Sequence, residues 1–465
     1  MEQWVERDAN LALARGMSVA AETVEEREIF YDKLSPGPGL PTAEVAAHQC
    51  ARIHGALVTL VGARGYGAVK VRDVVRLAGV STRAFYEHFD SKADCFLRTH
   101  ELVVRGAVRR IVAAQADEPD WRERLRLMLN AFVREVGSGP DAARLALIDA
   151  YEAGTSALEQ AWRTERTLET MIGESFGRGP DGIPVPPLIV EGIVAGVARV
   201  ARRRLLAGRS GEVTGLGDEL GEWALCFPGK ASGELAILDR RSVGAGRTAD
   251  LSPTPASLEN SNGSGQGWPP QSDRGIILAA VAKLAAARGY RHLTIPRIRA
   301  RAGISRAAFD VHFKSVDECF LAALEFRAGD ALAEAARAQS SAHTWAGGVY
   351  RAVVALCDRI GSDPLLVGLC LDDYFLPGTD GSLWRKSLIA VAADQIRAGV
   401  PPEHRLGGLP EEASKGAIWA LLHHHVVRNP APQGPQIAAT LAYLALAPVI
   451  GAPEAVAAIR CEQTA

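Results

Sequence analysis

Residues 63–97 read ARGYGAVKVRDVVRLAGVSTRAFYEHFDSKADCFL, and residues 287–321 read ARGYRHLTIPRIRARAGISRAAFDVHFKSVDECFL. The two segments lie 224 residues apart and align without a gap, and 18 positions are identical between residues 49–97 and 273–321. Eight of the identities fall on glycine, serine, phenylalanine and tyrosine, the types that fix turns, helix ends and core packing. The chain is therefore the product of an internal duplication.

The duplicated segment has the residue spacing of three helices. A first helix, ending at Gly65, carries an apolar face with i, i+3, i+4, i+7 spacing, formed by Ile53, Ala56, Leu57 and Leu60. A second helix precedes Gly79, whose backbone suits a tight turn. Ser81 is placed to cap a third helix, on which Phe85 and Phe89 face inward. This pattern predicts a helix-turn-helix, and the scarcity of strand-like alternation elsewhere predicts an all-α fold.

The same segment resembles the DNA-binding signature of the TetR (tetracycline repressor) family of transcriptional regulators. The residues after each copy have the helical pattern and length of that family's ligand-binding and dimerising domain, so the resemblance covers two units, about 38–228 and 266–452. It implies a sequence-specific DNA-binding transcriptional regulator. It also implies a repressor that a small-molecule effector releases from a double-stranded DNA operator.

Stretches rich in proline, glycine and serine divide the chain. The runs SPGPGLP (35–41) and SPTPASLENSNGSGQGWPP (252–270) contain little that could be buried, so we predict loops there. The predicted segments are an N-terminal extension (1–41), a first helix-turn-helix domain (42–100), a first helical ligand-binding and dimerisation domain (101–228), a flexible linker (229–271), a second, degenerate helix-turn-helix domain (272–325), a second helical domain (326–452) and a tail (453–465).

The first copy offers side chains suited to a DNA surface. Thr82 and Arg83 stand at the start of the third helix, where a recognition helix meets base edges. The resemblance implies that Tyr86, His88 and Lys92 contact chiefly the phosphate backbone. The full candidate set is Lys70, Ser81, Thr82, Arg83, Tyr86, His88 and Lys92.

The second copy keeps the residues of the fold and changes those of the expected contact surface. Tyr86 becomes Asp310 and Lys92 becomes Val316, so a carboxylate enters the expected phosphate path and a cation leaves it. Either this head contacts DNA more weakly or it is a structural head. Its candidate contacts are Arg297, Ser305, Arg306, His312 and Lys314.

The two helical bodies contain aromatic, methionine and cysteine side chains at helical spacing. They are candidates for an effector pocket, although the same pattern is typical of plain core. The candidates are Met128, Phe132, Tyr151 and Trp162 in the first body, and Tyr350, Cys357, Tyr374 and Trp384 in the second.

Three consecutive histidines, residues 423–425, invite a metal interpretation. Consecutive helical residues point about 100° apart, and no carboxylate pair stands nearby in the sequence, so we predict a packed or interface helix and no metal. The same is expected of their counterpart in the first copy, residues 199–204, which contains four arginines. The apolar stretch 437–459 is interrupted by two prolines, which favours a buried helix over a membrane span.

The chemistry-bearing residue types exclude several functions. The seven cysteines are widely spaced and form no C-x-x-C pair, which favours a reducing cytoplasm and neither disulfides nor a zinc site. The sequence has no nucleophile elbow, P-loop, H-E-x-x-H or dinucleotide motif. We therefore predict neither an enzyme nor a cofactor.

Two questions stay open in the sequence. Proteins that resemble this family work as dimers, so the two units could form an internal pseudo-dimer, which we favour, or first copies could pair between two chains. The alternative function is a ligand-sensing or protein-interaction module whose DNA-binding heads, especially the second, are vestigial.

Overall fold

A computed structural model of the chain describes residues 42–151, 153–177, 185–235, 237–240, 272–363, 365–366, 408–427 and 437–464. Every regular element within these ranges is a helix, which confirms the all-α prediction. The described residues form two compact units, one of residues 42–117 and 134–162 and the other of residues 118–133 and those from 163 onward.

The α-helices of the described residues follow the expected order. They are α1 (Thr42–Arg64), α2 (Val71–Ala78), α3 (Thr82–His88), α4 (Lys92–Ala113), α5 (Trp121–Ser138), α6 (Pro140–Leu147), α7 (Thr155–Gly177), α8 (Pro187–Leu206), α9 (Gly217–Leu225), α10 (Asp273–Arg288), α11 (Ile295–Ala302), α12 (Arg306–His312), α13 (Val316–Ser340), α14 (Trp345–Ser362), α15 (Gly408–Val427), α16 (Ala438–Ile450) and α17 (Ala452–Thr464).

The first head consists of α1, α2 and α3. α1 ends at Gly65 with φ 76°, and α2 ends at Gly79 in the left-handed conformation with φ 62°. Ser81 Oγ accepts the backbone N–H three residues later at 3.0 Å and so caps α3. Phe85 and Phe89 are 1% and 2% exposed. The helix-turn-helix prediction is confirmed, including both glycine turns and the serine cap.

The second head, α10 to α12, has the same design. Gly289 and Gly303 have φ of 76° and 69°, and Ser305 Oγ accepts the backbone N–H of Ala308 at 3.1 Å. Phe309 and Phe313 are buried in the core of this head. The substitutions in the second copy have therefore left the turns, the cap and the aromatic core intact.

A buried carboxylate holds the first head within the first unit. Asp149, after α6, is completely buried, and its Oδ1 accepts the backbone N–H of Tyr66 at 2.8 Å. Arg144 lies 3.3 Å from the other carboxylate oxygen. Because Tyr66 begins the turn from α1 to α2, this contact fixes the start of the helix-turn-helix to a residue 83 positions away.

In the second unit, helices of the first copy pack against helices of the second copy, and the central pair is α8 with α15. α8 and α9 of the first copy pack with α15 and α16 of the second. A Cβ on Gly196 would lie 2.6 Å from the ring of Trp223 and 2.7 Å from the carbonyl oxygen of Ala413. A Cβ on Gly416 would lie 2.8 Å from the side chain of Arg199. Glycine is therefore what allows α8 and α15 to approach this closely.

Parts of the segments predicted as linker and tail are helical and buried. Leu235 and Leu238, inside the predicted linker, are buried, and so are Val456 and Ile459 on α17, inside the predicted tail. The apolar residues in these parts are buried within the second unit, although polar and loop-forming residues dominate the sequence around them. None of the helices in the described ranges is long and apolar enough to span a bilayer, and α16 is almost wholly buried as predicted.

Asp239 anchors the N-terminus of α16 and is 6% exposed. Its Oδ1 accepts the backbone N–H of Ala439 at 2.9 Å and that of Thr440 at 3.2 Å, and its Oδ2 accepts the Thr440 hydroxyl. Burial raises the pKa of Asp239 to about 6, although the three hydrogen bonds act to lower it. The residue therefore links the chain after α9 to the second copy through a carboxyl that ionises near neutral pH.

We predict that Gly196→Ala lowers the free energy of unfolding by about 1–3 kcal/mol, because the added methyl group meets a backbone carbonyl that cannot move aside. Gly329→Ala on α13 is the matched control, since no atom lies within 4 Å of its Cβ position. It should be neutral or stabilising by up to about 1 kcal/mol. Urea denaturation followed by circular dichroism measures both, and equal effects would contradict the close contact.

We predict a pH-dependent effect of Asp239→Asn. The folded pKa of about 6 lies above the ordinary value of 3.8, so the contribution of Asp239 to stability is complete at acid pH and is lost as the pH rises through about 6. Asparagine accepts the same backbone bonds without ionising. From pH 5 to 8 the variant should gain about 1–2 kcal/mol relative to the parent protein. A difference in unfolding free energy that is the same at both pH values would contradict this.

Candidate nucleic-acid interface

The outer face of α3 carries the side chains that the sequence assigned to DNA. Thr82, Arg83 and Tyr86 are all exposed. Tyr86 is 55% exposed and its ring stands edge-on to Phe85, with centroids 5.3 Å apart. Arg83 Nε donates to Glu87 Oε1 at 2.9 Å, one turn further on. Such exposed pairs contribute only about 0.3–0.5 kcal/mol, so a phosphate or base edge can displace Glu87 from Arg83.

The other candidates of the first head are partly engaged within it. Ser81 caps α3, and His88 Nε2 is hydrogen-bonded to Gln49 Oε1 of α1 at 3.1 Å. Lys70 precedes α2, where its backbone N–H bonds to Asp73, while the residue is exposed. Lys70 is therefore placed to contact a phosphate near the N-terminus of α2. Ser81 and His88 instead make hydrogen bonds that stabilise the head itself.

Lys92 has a different environment from the one expected of a phosphate contact. Its ammonium donates to the backbone oxygens of Tyr66 at 3.1 Å and Val69 at 2.9 Å. It also lies 3.9 Å from the centre of the Tyr66 ring. Burial lowers the pKa of Lys92 below its ordinary value. Lys92 thus closes the turn between α1 and α2, and any DNA contact would compete with these bonds.

The second head holds the same turn with different atoms. Val316 replaces Lys92, and the hydroxyl of Tyr290, the counterpart of Tyr66, donates instead to Asp317. The ring pair below the turn is preserved, because Tyr66 with Phe96 and Tyr290 with Phe320 both have centroids 4.9 Å apart. In the second copy, the Tyr290–Asp317 bond therefore takes over the structural role of Lys92. The replacement of Lys92 by Val316 is for this reason only weak evidence that the second head has lost DNA binding.

The outer face of α12 differs more from its counterpart. Arg306 Nε donates to both carboxylate oxygens of Asp310, at 2.9 and 2.8 Å, so a carboxylate stands where the first head has Tyr86. Val311 beside it is 78% exposed. Arg297 donates to the backbone oxygen of His292 at 2.9 Å and Lys314 is exposed. Ser305 caps α12 and His312 is half-buried.

Two side chains that support the first head were missed in the sequence. Arg52 on α1 donates to the backbone oxygen of Gly79 at 3.0 Å and to that of Ala78, which secures the end of α2. Asp149 fixes the turn at Tyr66 from beyond α6. No local pattern marks either residue, because their partners are 26 to 83 positions away.

The candidate effector residues lie mostly in packed surroundings. Met128 is 3% exposed and its sulfur accepts from the Ser175 hydroxyl at 3.6 Å. Cys357 is fully buried, and the Tyr350 hydroxyl accepts from Gln463 at 2.9 Å. Tyr151 is buried, Phe132 and Trp162 are partly buried, and Tyr374 and Trp384 lie outside the described residues. Effector contact by these residues stays a prediction.

Comparison with known families identifies the heads. Residues 53–99 and 277–323 each match the family model described as bacterial regulatory proteins, tetR family. The matches begin within the first helix of each head and run into the helix that follows it. The resemblance is confirmed in both heads: each matches this family's model, so the chain carries two tandem heads of the TetR type. Its broad function is that of a DNA-binding transcriptional regulator.

Solved structures show weaker similarity to the chain. The fatty acid degradation regulator FadR from Bacillus halodurans is 16% identical, with a TM-score of 0.34, over 37% of this chain and 96% of its own. A TetR-like regulator from Rhodococcus sp. RHA1 is 19% identical, with a TM-score of 0.33, over 41% and 100%. FadR from Bacillus subtilis, solved with stearoyl-CoA, is 15% identical, with a TM-score of 0.35, over 38% and 98%. No curated protein matches the chain.

Proposed function

We propose that the protein is a sequence-specific repressor in which the two tandem units form an internal pseudo-dimer on an asymmetric operator, and that a small-molecule effector releases it. The internal pairing of the two units is supported by the polar contacts that α8 and α9 make with α15. Each of these contacts joins two different residue types, one from each copy. The repressor and effector parts follow from the TetR resemblance.

Each of these contacts has one partner in each copy. Arg204 Nη1 donates to both carboxylate oxygens of Glu412 at 2.8 Å, with the two side chains 14% and 12% exposed. Trp223 Nε1 donates to the Ser414 hydroxyl at 2.9 Å, and both residues are buried. Buried polar groups cost free energy unless they are bonded, so these contacts favour this pairing over others.

The rival arrangement, first copy against first copy between two chains, would lose both contacts. If the 224-residue offset of the heads is extended to these helices, Leu188 is the counterpart of Glu412 and Val190 is the counterpart of Ser414. In an isologous interface, Arg204 would then face leucine and the indole N–H of Trp223 would face valine. Each polar group would be left without its partner at a cost of about 1–3 kcal/mol.

The DNA-binding part of the proposal gives the heads unequal roles. The first head offers Thr82, Arg83 and Tyr86 on one exposed face, a set that can reach base edges and phosphates. The second head offers Arg306 already paired with both oxygens of Asp310. We infer that the first head supplies most of the sequence reading, while the second binds more weakly. The operator would then lack two-fold symmetry.

The second candidate function is a ligand-sensing or protein-interaction module with vestigial heads. The exposed Val311 beside the Arg306–Asp310 pair favours this function for the second head alone. An apolar side chain next to an arginine whose charge is already neutralised can contact another protein as well as it can contact DNA. On α3 the exposed side chain beside the Arg83–Glu87 pair is Tyr86, whose hydroxyl can hydrogen-bond to a phosphate, so the regulator is preferred for the chain as a whole.

We predict that the full-length chain sediments as a single species with the 49.5 kDa mass of one chain at micromolar concentration. The reason is that α8 and α15, one from each of the two predicted dimerisation domains, already pack against each other. Analytical ultracentrifugation measures the mass directly. A stable species of twice that mass would exclude the purely monomeric pseudo-dimer.

We predict that the protein binds DNA from upstream of its own gene, with an affinity that falls steeply between about 50 and 200 mM salt because lysine and arginine release counterions from phosphates. Arg83→Ala should weaken specific binding about tenfold or more, the loss expected for a base contact, and Arg306→Ala should weaken it less. Fluorescence anisotropy with operator and scrambled duplexes measures both.

Two outcomes would count against this DNA-binding proposal. Binding that neither depends on salt nor distinguishes operator from scrambled DNA would favour the module with vestigial heads. Equal losses for Arg83→Ala and Arg306→Ala would contradict the unequal roles. Circular dichroism of each variant controls for folding.

A further inference from the structure

Two imidazoles and one carboxylate meet between α8 and α15. His424 and His425 are consecutive on α15, and Glu191 extends from α8. His424 Nδ1 is hydrogen-bonded to Glu191 Oε1, and His425 Nε2 lies 3.3 Å from Glu191 Oε2. One possible ligand atom from each residue lies within 4.8 Å of the other two. The cluster therefore joins the two copies of the repeat.

The convergence of two consecutive histidines has a simple geometric basis. Their rings stack, with centroids 5.0 Å apart and planes inclined by 30°, so both can turn toward the same side of α15. The third group comes from a residue 233 positions away from His424, which no reading of the local sequence could supply. His423 is not part of the cluster.

The surroundings of the cluster suit a cation that enters from solvent. The side chains of His424, His425 and Glu191 are 36%, 19% and 15% exposed, so the site is neither sealed nor open. α7 contributes a further carboxyl, Glu169, which interacts electrostatically with Glu191 and His424. A positive ion placed here would gain from the Glu191 carboxylate.

We propose that Glu191, His424 and His425 bind a divalent transition-metal ion of the zinc class. Two imidazole nitrogens and one carboxylate oxygen are a ligand set that zinc accepts, with the fourth position open to water. Tetrahedral ligands at about 2.0–2.2 Å from zinc lie about 3.3–3.6 Å apart. His425 Nε2 and Glu191 Oε2, 3.3 Å apart, stand at the lower end of that range, whereas His424 Nδ1 and Glu191 Oε1 are closer and would have to separate to admit the ion.

The ion would act as a clamp between the two copies. It replaces the hydrogen bonds between the imidazoles and the carboxylate with coordinate bonds from α8 and α15, and it binds only when these helices are packed. Binding to the folded state alone stabilises that state. This inference goes beyond the proposed function and does not depend on whether either head binds DNA.

The test uses the untagged full-length chain, freed of metal with a chelator. Calorimetric titration with Zn²⁺ should give one ion per chain, and the unfolding temperature should rise when Zn²⁺ is added. Co²⁺ should give the absorption of a tetrahedral nitrogen and oxygen site without a thiolate charge-transfer band. That last feature separates the cluster from the exposed Cys461.

Substitutions within and beside the cluster decide the assignment. Glu191→Gln and His424→Gln should each weaken Zn²⁺ binding at least about tenfold, while His423→Gln, on the same helix, should leave it unchanged. The proposal is overturned if the parent protein binds no Zn²⁺, if the Co²⁺ spectrum has a thiolate band, or if His423→Gln loses as much affinity as His424→Gln. The stoichiometry and spectrum of the parent protein do not require any variant to fold.

Discussion

The close packing of α8 against α15 is the contact on which the second unit depends. Gly196 and Gly416 remove the side chains that would hold the two helices apart, since a Cβ at either position would come within 3 Å of its neighbours. Arg204 with Glu412 and Trp223 with Ser414 then specify which helix faces which. Small residues thus permit the approach, and unlike polar pairs select the partner.

The two heads show how a duplicated domain can keep its framework and change its surface. Glycine turns, serine caps and buried phenylalanines recur in both copies, because each fixes the backbone or fills the core. The turn after the first helix is closed by Lys92 in one head and by the Tyr290–Asp317 bond in the other. The replacement of Lys92 by Val316 therefore changes how the turn is stabilised at least as much as it changes the DNA-facing surface. The replacement of Tyr86 by Asp310 is the stronger sign that the two heads have diverged in DNA binding.

The helix-turn-helix of each head could be predicted because its determinants are local. Spacing, a glycine turn and a serine cap lie within a few residues of the helices they define. The side chains that stabilise the first head, Arg52 and Asp149, could not be predicted, because they bind backbone atoms 26 to 83 positions away. The burial of Leu235 and Leu238 in the predicted linker, and of Val456 and Ile459 in the predicted tail, could not be predicted for a related reason: composition averages over a few apolar residues.

Sequence alone determined that the chain is a tandem repeat of all-α units with TetR-type heads, because helical period and turn residues are properties of short segments. Only the tertiary structure decided which helices of the two copies meet and what their side chains assemble. The pairs Arg204–Glu412 and Glu191–His424 span 208 and 233 positions. Such contacts depend on the packing of whole helices. The histidine run shows the difference: its residues were evident in the sequence, but the carboxylate that completes the cluster came from the other copy.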